Sequence, residues 1–218
     1  MTKIKLCGLR RIEDIEAANL LKPDYIGFVF TPKSKRYITP EDAAKLKAHL
    51  NDNKILAVGV FVDEDVRKVA ELLNSGVIDI AQLHGDEDNE YIEKLRKLII
   101  NNPIEKSIDP VENSYNKISG RIIKAFKIKI KEDLNKAKNS TADHILLDAG
   151  AGEGMRFNWE LLDGFDRPFF LAGGLDPQNV KDAIVKLHPY GVDVSSGIET
   201  DGFKDPVKMR EFVYNARH

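Results

Sequence analysis

The sequence predicts an α/β barrel, eight βα units closed into a single domain over residues 1–218, and three observations carry this. Short β-rich apolar runs alternate with stretches of helical periodicity along the chain. Eight such units share 218 residues, about 27 each, close to the minimum for a βαβ repeat. The polar and glycine residues that end the runs also follow many different strands, and they converge only if the sheet is closed. An open doubly wound sheet would gather them after adjacent strands, usually with GxGxxG after the first. Here the first run ends in Cys7 and Gly8 instead.

In chain order, the strand candidates are residues 3–8, 24–30, 54–62, 78–85, 121–128, 143–148, 168–172 and 191–195. The second and third are almost continuously apolar, as a parallel strand covered on both faces requires. Between them, Thr39, Pro40 and Glu41 read as a helix start ahead of an Ala43, Leu46, Leu50 stripe. Val66, Val69, Ala70 and Leu73 form a second stripe. Ile92, Leu95, Leu98 and Ile99 form a third, and Val180, Ala183, Ile184 and Leu187 a fourth, with Asp176 and Pro177 as its cap and first residue. The Lys-rich stretch 131–139 and the segment around Trp159, Leu161 and Leu162 give the weakest helices. Residues 101–120 read as an αβ loop on the barrel face associated with stability.

Composition narrows the partners. Apolar residues make up 42% and charged residues 31%, an ordinary globular balance. The net charge of -2 supplies no basic field for nucleic acid or an anionic membrane. Cys7 has no second cysteine to pair with, and the five histidines lack zinc-site spacing. No apolar run approaches the ~20 residues of a membrane span, and the first residues do not resemble a signal peptide. These features lead us to expect a cytoplasmic protein that binds a small molecule and no transition metal, as a monomer or homodimer.

The strand ends carry the chemistry. In a barrel, the loops after strands 7 and 8 commonly hold phosphate through backbone N–H groups and helix N-termini. LAGGLDPQNV and VDVSSGIE have the composition for this, with Gly173, Gly174, Ser195, Ser196 and Gly197 as the candidate contacts. Tight turning and helix capping are the plainer uses of the same residues. Cys7 ends strand 1 and is either a small buried hydrophobe or a base, the latter requiring a field that favours the thiolate. Asp148 ends strand 6 and either caps the glycine loop after it or serves as a general acid. Arg36 could hold a carboxylate bidentately, or simply be a surface arginine. His84 is either a polarising group or the residue ahead of a helix that Asp86 and Glu87 start.

Six strings, KLCGLR, PKSKRYI, QLHGDE, LLDAG with GEGMRFNW, LAGGLDPQNV and VDVSSGIETDGFKD, together resemble the phosphoribosylanthranilate isomerase family of tryptophan biosynthesis, in order and over essentially the whole chain. A related histidine-pathway isomerase uses two aspartates and lacks the opening Cys motif. The resemblance implies a TIM barrel of the ribulose-phosphate-binding type and a cofactor-free Amadori rearrangement of N-(5-phosphoribosyl)anthranilate. It places the general base on Cys7 and the general acid on Asp148. It puts the anthranilate carboxylate on Arg36, assisting roles on His84 and Asp193, and phosphate on the two glycine loops. Against the family's usual GGTGK-like loop the chain reads Ala151, Gly152, Glu153, Gly154, Met155 and Arg156, which predicts altered substrate affinity. Non-catalytic sugar-phosphate binding, or another isomerase, epimerase or aldolase, is the alternative; an aldolase would want a lysine at a strand end.

Overall fold

The computed structural model describes residues 1–99, 121–148, 159–162 and 164–218. Eight parallel strands close into a barrel in chain order: β1 (Lys3–Cys7), β2 (Tyr25–Val29), β3 (Leu56–Phe61), β4 (Ile80–Leu83), β5 (Ile122–Lys127), β6 (His144–Asp148), β7 (Phe169–Ala172) and β8 (Gly191–Val194). Each lies inside the run that predicts it. The helices are α1 (Ile12–Leu21), α2 (Pro40–Ala48), α3 (Val66–Asn74), α4 (Asn89–Leu98), α5 (Leu134–Lys138), α6 (Val180–Leu187) and α7 (Pro206–Arg217). A two-stranded ribbon, β9 (Glu199–Thr200) with β10 (Phe203–Lys204), follows β8. Residues 101–120 lie outside the described residues.

The pleat sorts side chains into two cores, because alternate residues of each strand face opposite ways. Ile4 and Leu6, Ile26 and Phe28, and Ile145 and Leu147 join the helix-facing core with Ile15, Val69, Leu95, Val180 and Phe212. Tyr25, Val58, Ile80, Ile123, Leu146 and Phe170 form a smaller core inside the barrel. The helical stripes supply the outer layer as expected, except that Leu98 is exposed.

Two helix starts differ from expectation. Thr39 does cap α2, its Oγ1 accepting the Asp42 N–H at 3.1 Å. Asp176, however, accepts the N–H groups of Gln178 and Asn179 and so caps a turn, after which α6 begins at Val180. Asp86 and Glu87 do not start α4. Asp88 caps it by accepting from Tyr91 N–H, while Glu87 is buried on Lys124 at 3.0 Å and accepts the N–H groups of Asp63 and Gly85. Proximity to Lys124 holds Glu87 in a loop-fastening role.

A repeated device fastens the floor of the barrel. Asp24, Asp79 and Asp143 each stand immediately before an even-numbered strand, and each accepts the N–H near the start of the odd-numbered strand before it: Ile4 at 2.9 Å, Ala57 at 2.8 Å and Ile122 at 3.0 Å. Their other oxygens take a cation each, Lys3, Lys47 and Arg96 respectively. Tyr190 occupies the corresponding place before β8, and its carbonyl accepts the Lys3 N–H. Removing one aspartate strands a part-buried N–H, which typically costs about 1–3 kcal/mol. Asp79→Ala should therefore lower the unfolding free energy by that amount, read in urea as a lower midpoint at unchanged m-value. An unchanged midpoint would show that water replaces the carboxylate at no cost.

Candidate active site

At the C-terminal ends of the strands, the barrel assembles most of the residues singled out in the sequence. Cys7 ends β1, where it is 6% exposed. Gly27, its register partner on β2, leaves the room it needs: a Cβ there would come within 2.7 Å of Sγ. Gly8 follows at φ +80°, and the stem of Arg36 crosses over it so closely that a Cβ would meet Cδ at 2.6 Å. Thiol and guanidinium are thereby brought to the same corner of the mouth.

Arg36 already has a partner within the chain. Its Nε and Nη2 donate to the two oxygens of Glu199 at 2.7 and 2.8 Å. Glu199 Oε1 also accepts from Lys204 Nζ at 2.6 Å, and that ammonium, buried at 4% exposure, donates further to the carbonyl and hydroxyl of Ser195. Burial opposes ionisation of Glu199, yet the hydrogen bonds from Arg36 and Lys204 outweigh it and hold the carboxyl down to about 2. A depressed carboxyl contributes stability in full above its ordinary pKa and loses it as pH falls through the folded value. The urea midpoints of the parent and Glu199→Gln should accordingly differ at neutral pH and converge between 4.5 and about 2; a gap independent of pH would sink this account.

Across the mouth, Asp148 ends β6 and its Oδ2 lies 3.1 Å from His84 Nε2. His84, one residue beyond β4, has its Nδ1 3.2 Å from Gln82 Nε2. Gln82 is 1% exposed, and its Oε1 has no partner among the described residues. The order Gln82, His84, Asp148 is a proton-bearing chain whose tautomer depends on which way the Gln82 amide faces.

The two glycine loops meet at the third side. Gly173 and Gly174 take φ +89° and +67°, a left-handed pair that glycine accepts without strain. Their N–H groups donate to nothing among the described residues, which leaves them available to an anion. Ser196–Ile198 form a single 3₁₀ turn, and Gly197 packs so tightly on the Leu175 carbonyl that a side chain there would collide with it. Ser195 is committed internally: its hydroxyl donates to the Cys7 carbonyl at 3.1 Å. Of the five phosphate candidates, the serine hydroxyl is the one with a competing role.

Asp193 faces inward from β8 but lies below the mouth, paired with Lys5 Nζ at 2.9 Å. Lys5 was not foreseen, nor were Gln82, Glu199 and Lys204. A lysine does end one strand: Lys127 ends β5 and lines a roughly 760 Å³ cavity with His84, Glu87, Lys124 and Lys136. It is exposed, without the desolvation that activates a Schiff-base lysine. Residues 151–158 of the departing loop lie outside the described residues.

Comparison with known proteins identifies the family of this barrel. The family described as N-(5'phosphoribosyl)anthranilate (PRA) isomerase matches residues 4–120 and 111–215. The N-(5'-phosphoribosyl)anthranilate isomerase of Thermoanaerobacter sp. (strain X514) is 44% identical over 227 residues, covering 100% of this chain and 98% of that protein. The crystal structure of phosphoribosyl anthranilate isomerase from Thermotoga maritima superposes with a TM-score of 0.84 at 34% identity, covering 100% and 99% of the two chains. A phosphoribosyl anthranilate isomerase in complex with reduced 1-(o-carboxyphenylamino)-1-deoxyribulose 5-phosphate gives 0.81, again at 34% identity and with 100% and 99% covered. With matches spanning the full length of the barrel at this identity, the chain belongs to the N-(5'-phosphoribosyl)anthranilate isomerase family.

Proposed function

We propose that this chain, as one barrel domain, converts N-(5'-phosphoribosyl)anthranilate to 1-(2-carboxyphenylamino)-1-deoxyribulose 5-phosphate for tryptophan synthesis. The observation that carries the reading is the placing of a thiol and a carboxylate on strands β1 and β6 of one mouth. The rearrangement needs one proton delivered and another removed. Asp148 protonates the ring oxygen, so the furanose opens to an iminium. Cys7 then takes the proton from C2, and the resulting enolamine tautomerises to the ketone.

The remaining groups hold the substrate by its ends. The N–H groups of Gly173 and Gly174, which donate to nothing among the described residues, suit the phosphate, a handle remote from the reacting carbons whose binding energy can position them. Arg36 spends its Nε and one Nη2 proton on Glu199, leaving the Nη1 end of its fork for the anthranilate carboxylate. With Arg36 and Lys204 set against Glu199, that corner keeps one net positive charge for an anion. Both ends of the substrate are thus met locally, as the chain's small net charge requires.

Freshly prepared N-(5'-phosphoribosyl)anthranilate should be converted by the purified chain without added metal or cofactor. A folded protein that binds the compound and never turns it over would refute the assignment. No helix among the described residues is long and apolar enough to cross a membrane, which suits an enzyme placed in the cytoplasm.

A further inference from the structure

Lys5 is completely enclosed, at 0% exposure, on the inner face of the strand that ends in Cys7. An ammonium removed from water demands an anion, since the cost of burying it unpaired is several kcal/mol. Asp193, its register partner on β8, supplies one at 2.9 Å and is itself 8% exposed. Two residues further along β1, the Cys7 side chain lies on the same inward face, near enough for its charge to act on that ammonium. One buried cation therefore stands between a carboxylate and a thiol.

We propose that Lys5 is a positioning residue for Cys7, an ammonium anchored by Asp193 that stabilises the thiolate and aims it into the mouth. The proposal rests on the reading of Cys7 as the base. Among the other groups facing the thiol, Lys204 from β10 acts in the same direction as Lys5 and Asp193 acts against both. The Arg36 guanidinium, from the loop after β2, also feels the thiolate. Gly27 on β2 brings no charge. Burial pushes the Cys7 thiol above its ordinary value, and Lys5 is the strongest influence pulling it back. Burial likewise works against the Lys5 ammonium, but Asp193 and Cys7 together outweigh it and raise its pKa. Lys5 thus remains charged wherever the enzyme would work.

Because the chain has one cysteine, the ultraviolet absorbance of the thiolate, blanked against Cys7→Ser, reports this group alone as pH is varied. Lys5→Met should raise the thiol midpoint by about one unit or more, and Lys5→Arg should restore most of it, a shift of one unit being a tenfold change in thiolate at neutral pH. Asp193→Asn should move the midpoint the other way, because Lys5 then has the thiolate as its remaining counterion. If Lys5→Met fails to fold around an unpaired Asp193, the charge-free pair Lys5→Met with Asp193→Asn keeps the test open; its midpoint should still rise above the parent's, Lys5 being the stronger of the two influences on the thiol.

A midpoint within about 0.3 unit of the parent in both charge-removing variants overturns the proposal, such a shift being no more than about twofold in thiolate. A midpoint that shifts as expected while kcat/KM stays level upholds the coupling of Lys5 to Cys7 and overturns the base role. Failure of this inference and failure of the assigned mechanism are therefore separate results.

Discussion

Cys7→Ser is expected to lower kcat/KM for N-(5'-phosphoribosyl)anthranilate by about 10³-fold, within the ~10² to 10⁴ that a positioned general base contributes. A hydroxyl in the same place cannot supply the base, because it ionises far less readily than a thiol. Burial is what makes Cys7 reluctant to ionise, and the same burial makes its thiolate a stronger base once formed. The sign of the pH dependence follows. With the folded thiol raised, the thiolate fraction of the parent grows about tenfold per unit across roughly pH 6 to 8, and kcat/KM should climb with it. The serine variant should lose that limb. Loss of less than tenfold, or a climb that survives the substitution, would remove Cys7 from the base role.

Gly27 gives the same position a second, steric test. Its missing side chain is the space that Sγ occupies, with 2.7 Å between Sγ and the place a methyl carbon on Gly27 would take. Gly27→Ala must push the thiol aside or move β2. A misplacement of an ångström at a reacting group is enough to cost about 10²-fold, so kcat should fall while the phosphate-derived part of the affinity persists. Equal kcat in the two chains would show that the thiol has slack.

The barrel was legible because parallel strands covered on both faces read as continuous apolar runs, and the helices between them carry stripes of the other period. Cys7, Asp148, Arg36 and His84 were legible for a positional reason, since residues at the C-terminal strand ends face the mouth. Lys5 was not. In KIKLC the lysines alternate with apolar residues, the pattern of a strand with one solvated face. Closure turns that face into an enclosed interior, and the carboxylate that makes it tolerable lies 188 residues away. Glu199 was hidden similarly, inside a recognised string but 163 residues from the arginine it holds. Asp24, Asp79 and Asp143 sat in plain view at the starts of strand runs, where only their repetition before alternate strands marks them as fasteners.

Asp148→Asn is the second change of large expected effect, about 10²- to 10⁴-fold in kcat, because an amide keeps the shape of the carboxyl but cannot release the proton that opens the ring. His84 and Gln82 sharpen the test. When the Gln82 amide nitrogen donates to His84 Nδ1, the ring proton sits on Nε2 and is offered to an ionised Asp148. Turning the amide over puts Oε1, unpartnered in the first arrangement, against a protonated Nδ1. Nε2 is then an acceptor, and Asp148 can carry the proton that the acid step requires. The three side chains therefore act as a unit, and residues acting as a unit are not additive. His84→Ala alone should cost roughly 10-fold, within the range of a supporting hydrogen bond to a charged group. Combined with Asp148→Asn it should cost almost nothing further, since the acid whose protonation it supports is gone. If the two losses multiply, His84 acts on the substrate directly and not through Asp148.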